Sequence, residues 1–163
     1  MRIGVMADTH DRLDAVERAV DLFNSLGVEH ILHAGDLISP FVIPRLARLK
    51  ARLTLVWGNN DGDRLLVSRR MAEHGMEPAG DFASLQLGGR RIALLHGTNE
   101  QMVRALASSG EFEVVVRGHT HQASIIRDPC LIVNPGEVCG YLTGKRTVAI
   151  LDLASLTAEI VEI

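Results

Sequence analysis

Apolar and polar positions follow two alternating periods along the first half of the chain. Short β-rich apolar runs at Arg2–Ala7, His30–Ala34 and Leu53–Trp57 predict strands. Between the first two, Leu13–Leu26 predicts a helix, because its apolar residues recur every three or four positions and Gly27 follows as a C-cap. Strands that alternate with helices in this way favour parallel pairing with crossover helices.

Two further segments of the first half predict helices. Pro40–Leu49 has Ser39 in the N-cap position and Pro40 at the first helical position. Asp63–His74 follows the third strand and is ended by Gly75. The first half therefore predicts a β-α-β-α-β-α order.

The second half of the chain is richer in predicted strands. Phe82–Leu87 and Arg90–Leu95 flank Gly88-Gly89 and predict a hairpin, because Gly-Gly supplies the positive φ of a tight turn. Glu100–Ala107 predicts a short helix. The other strand candidates are Glu113–Arg117, Ala123–Arg127, Leu131–Val133, Thr147–Leu153 and Thr157–Ile163. We therefore expect an α/β (α+β) fold of two stacked mixed sheets with helices outside, and one domain spanning residues 1–163, since no linker or repeat divides the chain.

Composition and charge narrow the class of protein. Of the 163 residues, 47% are hydrophobic but only 4% aromatic, and the net charge is −3. An acidic chain with few aromatic residues argues against nucleic acid as a partner, because such binding depends on basic surfaces and base stacking. No apolar run approaches the ~20 residues of a membrane helix, and Asp8 interrupts the N-terminal apolar run. With Cys130 and Cys139 too few for a disulfide framework, we expect a soluble, cytoplasmic protein that does not bind membranes.

Polar clusters follow the first three predicted strands and two later ones. They are Asp8-Thr9-His10, Gly35-Asp36, Gly58-Asn59-Asn60-Asp61, His96-Gly97 and Gly118-His119-Thr120-His121. Ligands bind at the carboxyl ends of the strands in α/β sheets, so we expect all the clusters to meet at one rim. Their glycines would let the backbone turn sharply and approach closely.

These clusters carry the ligand types of a divalent metal site. Carboxylate, imidazole and amide oxygen suit Mn, Fe or Zn, and the lack of Cys disfavours a thiolate zinc site. The Asp8–His10 and His119–His121 pairs are each two residues apart, and on extended segments both members would point to the same side. Each cluster alone is typical of a turn or a helix cap, but their joint occurrence favours two ions that share a carboxylate. The candidate ligands are Asp8, His10, Asp36, Asn59, His96, His119 and His121.

This series of motifs resembles that of the calcineurin-like metallophosphoesterase superfamily, and more narrowly the small single-domain prokaryotic phosphodiesterases. The likeness covers essentially the whole chain and includes Asn134-Pro135-Gly136. It implies a four-layer α/β/β/α sandwich and a dinuclear metal-dependent phosphodiesterase acting on a small phosphate ester. It also implies a homo-oligomer, dimer or tetramer, and two divalent ions, with manganese as the first choice and zinc, iron, nickel or magnesium as alternatives.

The resemblance also implies a role for each site residue. Asp8, His10, Asp36 and His121 would hold one ion, and Asp36, Asn59, His96 and His119 the other. Asp36 would bridge the ions together with a hydroxide that attacks phosphorus in line with the leaving group. Asp36, Asn59 and Asp61 are the implied catalytic residues, and Asp61 would orient His10 or another ligand.

Two positions depart from the family pattern. Asn60 stands where many members have His, and an amide cannot supply a proton near neutral pH. We therefore expect a preference for diesters, or for esters with good leaving groups, over alkyl monoesters. Glu137 stands where a small residue is usual. The alternatives are a phosphomonoesterase or nucleotidase, and a non-catalytic scaffold protein on the same fold, since one retromer subunit has it.

The other polar residues near the motifs receive simpler interpretations. We expect His33 to be a hydrogen-bonded strand residue and His30 and His74 to lie at the surface. Cys130 and Cys139 are expected to be buried thiols. Four residues near the motif loops are candidates for contact with a phosphate: Arg12, Thr98, Asn99 and Thr120.

Overall fold

Two five-stranded sheets form the centre of the computed structural model, which describes residues 1–163. The first sheet has the order β10-β9-β1-β2-β3 and the second β4-β5-β6-β8-β7. The strands of the first are β1 (Arg2–Met6), β2 (His30–His33), β3 (Arg52–Leu55), β9 (Thr147–Asp152) and β10 (Thr157–Glu162). Those of the second are β4 (Phe82–Leu87), β5 (Arg90–Leu95), β6 (Val114–Val116), β7 (Ser124–Arg127) and β8 (Leu131–Asn134).

Four α-helices flank the sheets: α1 (Leu13–Leu26), α2 (Ile43–Leu46), α3 (Arg64–Ala72) and α4 (Glu100–Ser108). Helix α1 has the predicted bounds, and Gly27 ends it in the left-handed conformation at φ 61°. The helix predicted over Pro40–Leu49 is much shorter: a 3-10 turn at Pro40–Val42 leads into α2. Pro44 explains this difference, because it has no N–H to bond to the Pro40 carbonyl, which accepts from Ile43 instead.

Three apolar layers separate the four layers of secondary structure. Between the sheets, Ile3, Val5 and Leu32 of the first pack with side chains of the second such as Leu94 and Val116. A second cluster lies between the first sheet and the helices α1, α2 and α3, and a third between the second sheet and α4. The predicted α/β/β/α sandwich of two mixed sheets is thus confirmed. No helix combines the length and apolar character needed to cross a membrane.

Parallel pairing brings the strand ends that carry the polar clusters to one rim. Strands β1, β2 and β3 are parallel neighbours, and so are β5, β6 and β8. Hydrogen bonds then join the two sheets at this rim: His96 Nδ1 lies 2.7 Å from the Ala34 carbonyl oxygen, and the His119 N–H donates to Asp8 Oδ2 at 3.0 Å. The five clusters therefore converge, as their positions predict.

Gly4 marks the closest contact between β1 and α1. A Cβ on Gly4 would lie 2.7 Å from Cδ1 and Cε1 of the Phe23 ring, closer than carbon atoms approach. We expect Gly4→Ala to lower the free energy of unfolding, measured with urea, by about 1–3 kcal/mol through overpacking. Phe23→Leu in the same chain should recover part of that loss, because the two sites are in contact.

The matched control is Gly62→Ala, since a Cβ there would meet no heavy atom within 4 Å. It should change the free energy of unfolding by no more than about 0.5 kcal/mol. Equal stability of Gly4→Ala and the wild type would contradict the packing described for β1 and α1.

Candidate metal centre

Most of the predicted ligands lie on strained backbone. Five have positive φ values: 51° at Asp8, 39° at His10, 59° at Asp36, 70° at His119 and 59° at His121. The expectation that Asp8–His10 and His119–His121 lie on extended segments is therefore wrong. A non-glycine residue in this region costs about 1–3 kcal/mol and persists only where surrounding contacts hold it. Such strain clusters at functional sites.

Two glycines allow the loops to approach the carboxylates. A Cβ on Gly58 would lie 2.0 Å from Asp36 Oδ1, and one on Gly118 would lie 2.9 Å from Asp8 Oδ2. Any other residue would displace these carboxylates. The close backbone approach expected of the motif glycines is confirmed at both positions.

One group of ligand atoms gathers around the buried Asp8. Its Oδ1 lies 3.9 Å from His10 Nε2 and 3.6 Å from His121 Nε2, while His10 Nε2 lies 3.4 Å from Asp36 Oδ2. Asp8 Oδ1 and His10 Nε2 are buried and have no hydrogen-bond partner in the protein. Buried polar atoms are nearly always partnered, so these two suit coordination of a cation.

A second group of ligand atoms also lies near Asp36. Asp36 Oδ2 is 3.4 Å from His96 Nε2, the same distance as from His10 Nε2. Asn59 Oδ1 lies 3.0 Å from His96 Nε2 and 3.1 Å from His119 Nδ1. One carboxylate oxygen thus faces both groups, and all seven predicted ligands belong to one or the other.

Hydrogen bonds on the far ring nitrogens orient two of the imidazoles. His96 Nδ1 donates to the Ala34 carbonyl at 2.7 Å, and His121 Nδ1 donates to Glu137 Oε2 at 2.7 Å. Because these oxygens can only accept, Nδ1 of each ring carries the proton, which leaves Nε2 free to bind a cation. This arrangement is typical of histidines that bind metals.

The electrostatics of the group also favour cations. Burial raises the pKa of Asp36, but the nearby imidazoles of His10 and His96 and the hydrogen bonds from Asn60 outweigh burial, so the pKa of Asp36 lies well below its ordinary value. The carboxylate of Asp36, and then that of Asp8, raises the pKa of His10 to about 9. Two buried carboxylates facing imidazoles therefore form a negatively charged site that binds positive charge.

Asp61 holds the backbone around Asp36. Its carboxylate accepts from the N–H groups of Asp36 at 3.0 Å, Ile38 at 2.8 Å and Gly58 at 2.6 Å. Ile38 has φ 88°, an unfavourable value for a β-branched residue. Of the alternatives predicted for Asp61, the structure shows contact with the predicted ligand Asp36 and none with His10.

The surroundings predicted for the remaining histidines and cysteines are confirmed for some of these residues and wrong for others. His33 is fully buried: its Nδ1 accepts from the Gly35 N–H, and its Nε2 lies 3.3 Å from Thr9 Oγ1, as expected of a hydrogen-bonded strand residue. His30 is not a plain surface residue, because it is half-buried and its Nε2 lies 2.8 Å from Thr54 Oγ1. His74 is exposed, Cys139 is buried and Cys130 only half-buried.

The four residues considered for phosphate contact have these surroundings in the structure. Thr98 and Asn99 line a cavity of about 270 Å³ that adjoins His96 and Asn59. The Asn99 side chain caps α4, accepting from Gln101 N at 2.9 Å. The Thr120 hydroxyl accepts from Asn134 at 2.9 Å, and Arg12 pairs with Asp14 at 2.8 Å. Contact with phosphate stays a prediction for all four: Arg12, Thr98, Asn99 and Thr120.

Comparison with known proteins identifies the family. The model of the calcineurin-like phosphoesterase superfamily domain matches residues 1–156. The chain belongs to this superfamily. This phosphoesterase is 38% identical over 154 residues to Phosphodiesterase MJ0936 of Methanocaldococcus jannaschii, a match that covers 93% of each chain. As a metallophosphoesterase it is a hydrolase of phosphate esters that uses divalent metal ions.

Solved structures agree with the family assignment. A structure described as a novel archaeal phosphodiesterase superposes on this phosphoesterase with a TM-score of 0.95, at 36% identity and full coverage of both chains. A Vps29 variant from Entamoeba histolytica has a TM-score of 0.73 at 17% identity, covering 100% of this chain and 99% of its own. The second likeness concerns the fold alone.

The buried His33 leads to a prediction about acid stability. Burial lowers its pKa to about 4, whereas an unfolded histidine titrates near 6.5. Its contribution to stability is therefore complete above pH 6.5 and is lost as the pH falls towards 4, because protons bind the unfolded chain first. In urea titrations of metal-free protein, His33→Gln should show a smaller loss of stability between these pH values than the wild type.

His74→Gln is the matched control, because His74 is exposed, and its loss of stability with falling pH should equal that of the wild type. If His33→Gln loses stability as steeply as the wild type, His33 is not the group responsible.

Proposed function

We propose that residues 1–163 act as one dinuclear metal-dependent phosphodiesterase domain. The observation that carries this proposal is the position of Asp36 Oδ2, 3.4 Å from both His10 Nε2 and His96 Nε2. A shared carboxylate oxygen between two ligand groups is the geometry of a two-ion site. The resemblance in sequence to Phosphodiesterase MJ0936 supports diesters as the substrates.

The proposed ligand sets follow the two groups. One ion would be held by Asp8, His10, Asp36 and His121, and the other by Asp36, Asn59, His96 and His119. Manganese is the first choice for these ions, with zinc, iron, nickel or magnesium as alternatives, and oxygen and nitrogen ligands without thiolate suit such metals. Bound divalent ions supply positive charge to the phosphate oxygens and make a water molecule more acidic.

The chain's own residues prepare the site for this chemistry. Asp61 and Asn60 immobilise Asp36: Asp61 accepts from the Asp36 N–H, while the Asn60 N–H donates to Asp36 Oδ1 at 2.9 Å. The contacts of His96 with Ala34 and of His121 with Glu137 fix the direction of both imidazoles. A substrate phosphate thus meets ligands that need no reorganisation.

The Asn60 side chain bears on the choice of substrate. Its Nδ2 donates to Asp36 Oδ2 at 2.7 Å, at the exposed edge of the site. An amide can donate a hydrogen bond but cannot protonate a departing alkoxide near neutral pH. Esters whose leaving groups need no proton are therefore the preferred substrates, and a small diester with such a leaving group fits this site best.

Asp36→Asn tests the two-ion centre. Because one oxygen faces both ligand groups, the substitution should lower the affinity for both manganese ions. Each affinity should fall by at least about tenfold, because the loss of a residue that only supports a ligand can already have an effect of that size. Manganese content and affinity are measured by calorimetry and elemental analysis, and turnover with bis-p-nitrophenyl phosphate. Asp21→Asn, an exposed site, is the charge-matched control and should bind both ions normally. Two tightly bound ions in Asp36→Asn would refute the bridging role.

The same assay separates the alternative functions. Metal-stripped protein is supplied with Mn, Zn, Ni or Mg and given the diester and p-nitrophenyl phosphate. Metal-dependent turnover of the diester should exceed that of the monoester. Faster monoester turnover would favour a phosphomonoesterase, and no turnover of either ester would favour a scaffold protein.

Asn60→His tests the basis of the diester preference. An imidazole at this edge can protonate a leaving group, so phosphomonoesterase activity should rise relative to diesterase activity. The measurement is the ratio of kcat/KM for the two esters with manganese. Asn60→Gln keeps an amide and should leave the ratio close to that of the wild type. An unchanged ratio in Asn60→His would count against this role.

A further inference from the structure

Glu137 has no exposed surface, and its carboxylate contacts the side of His121 that faces away from the other predicted ligands. Its Oε2 accepts from His121 Nδ1 at 2.7 Å, Cys139 Sγ at 3.0 Å and Tyr141 N at 3.1 Å. Its Oε1 accepts from Leu142 N at 3.0 Å, Thr143 N at 2.6 Å and Thr143 Oγ1 at 2.8 Å. A buried carboxylate is tolerated when donors surround it in this way.

These contacts are hydrogen bonds and do not form a third metal site. The ligand atoms of His121, Glu137 and Cys139 lie within 4.8 Å of one another. However, both oxygens of Glu137 are already occupied by donors, three of them backbone N–H groups. Burial, and then the Glu137 carboxylate, raise the pKa of Cys139 to about 12, so its thiol keeps its proton and donates.

The carboxylate therefore connects two parts of the protein. Its Oε2 contacts His121, a proposed metal ligand, and also Tyr141 N, while its Oε1 contacts only the loop of residues 140–144, which we call the 140–144 loop. This loop carries Tyr141 and Leu142, which are 55% and 73% exposed. The Tyr141 ring centroid lies 5.5 Å from the guanidinium carbon of Arg12, two residues from His10, so the loop borders the site.

We propose that Glu137 is a positioning residue that couples cation binding at His121 to the order of the 140–144 loop. The inference rests on the proposed role of His121 as a ligand. When Nε2 of an imidazole binds a cation, its Nδ1–H becomes a stronger donor, and a carboxylate partner is held more firmly. The same carboxylate holds three backbone N–H groups of the loop, so ordering spreads from His121 to Tyr141. The coupling is reciprocal: if a bound cation favours the ordered loop by some factor, the ordered loop must favour cation binding by the same factor.

Glu137→Gln tests the coupling with almost no change of shape. Donors alone surround both oxygens, so the NH2 group of glutamine must face donors on whichever side it lies. If the NH2 group replaces Oε2, the bonds from His121 and Tyr141 N are lost. If it replaces Oε1, the bonds from Leu142 N and Thr143 are lost, so the link between His121 and Thr143 is broken in either case. Glu159→Gln removes the same charge from an exposed position and is the matched control.

The readouts are zinc affinity by calorimetry and hydrogen exchange of the amides of residues 141–143, with and without Zn²⁺ alone. In the wild type, zinc should slow exchange of these amides by about fivefold or more. In Glu137→Gln the zinc-induced slowing should disappear, and zinc affinity should fall about 10–100-fold. Tyr141 is the only tyrosine of the chain, so a fluorotyrosine label there reports the same ordering as a single resonance. Glu159→Gln should match the wild type in all three.

Thr143→Ala keeps the test decisive if Glu137→Gln does not fold. Thr143 is exposed, and the substitution removes one loop donor without touching His121. Relative to the wild type, the zinc affinity of Thr143→Ala should fall. The factor by which zinc slows amide exchange in this variant should fall to the same extent. The proposal is overturned if Glu137→Gln keeps both properties, if Thr143→Ala alters exchange but not affinity, or if zinc binds the wild type without slowing exchange. A wild type that binds no zinc would contradict the metal centre itself.

Discussion

The Asp36 carboxylate is the group on which the rest of the centre depends. One of its oxygens faces both ligand groups, and its backbone is held in the left-handed conformation at φ 59°. That conformation persists because Asp61 accepts from the N–H of Asp36 and because Gly58 has no Cβ to collide with Oδ1. The position of Asp36 relative to both groups thus depends on the buried carboxylate of Asp61 and on the absence of a Cβ at Gly58. Without either, fewer contacts would offset the strain of the loop.

The stacking of the two sheets determines how the ligand groups meet. Each sheet alone carries part of each group, since His121 follows β6 while Asp8 follows β1. The interlocking apolar layer between the sheets fixes their distance, and the bonds of His96 to Ala34 and of His119 to Asp8 join their rims. The core therefore serves the chemistry directly, because slippage between the sheets would separate the ligands of each group.

Two departures from the family pattern acquire a physical meaning from their surroundings. Asn60 is an amide that donates to Asp36, and the proposed preference for esters with good leaving groups rests on this amide. Glu137 replaces a small residue with a carboxylate between His121 and the 140–144 loop. The first acts at the exposed edge of the site and the second behind it.

The fold class, the family and the identity of the candidate ligands could be predicted from the sequence. Periodicity locates α1 and the strands because burial imposes it, and the motif residues stand directly after strand ends. The sequence pattern did not predict the left-handed backbone at Asp8 and His121, the short helix before Pro44 or the half-buried state of His30, because these depend on contacts between distant segments. Glu137 shows the limit most clearly: a single glutamate after a turn carries no signal of its own. Only the tertiary structure surrounds it with donors from His121 and residues 139–143, and the proposed role of Glu137 rests on those contacts.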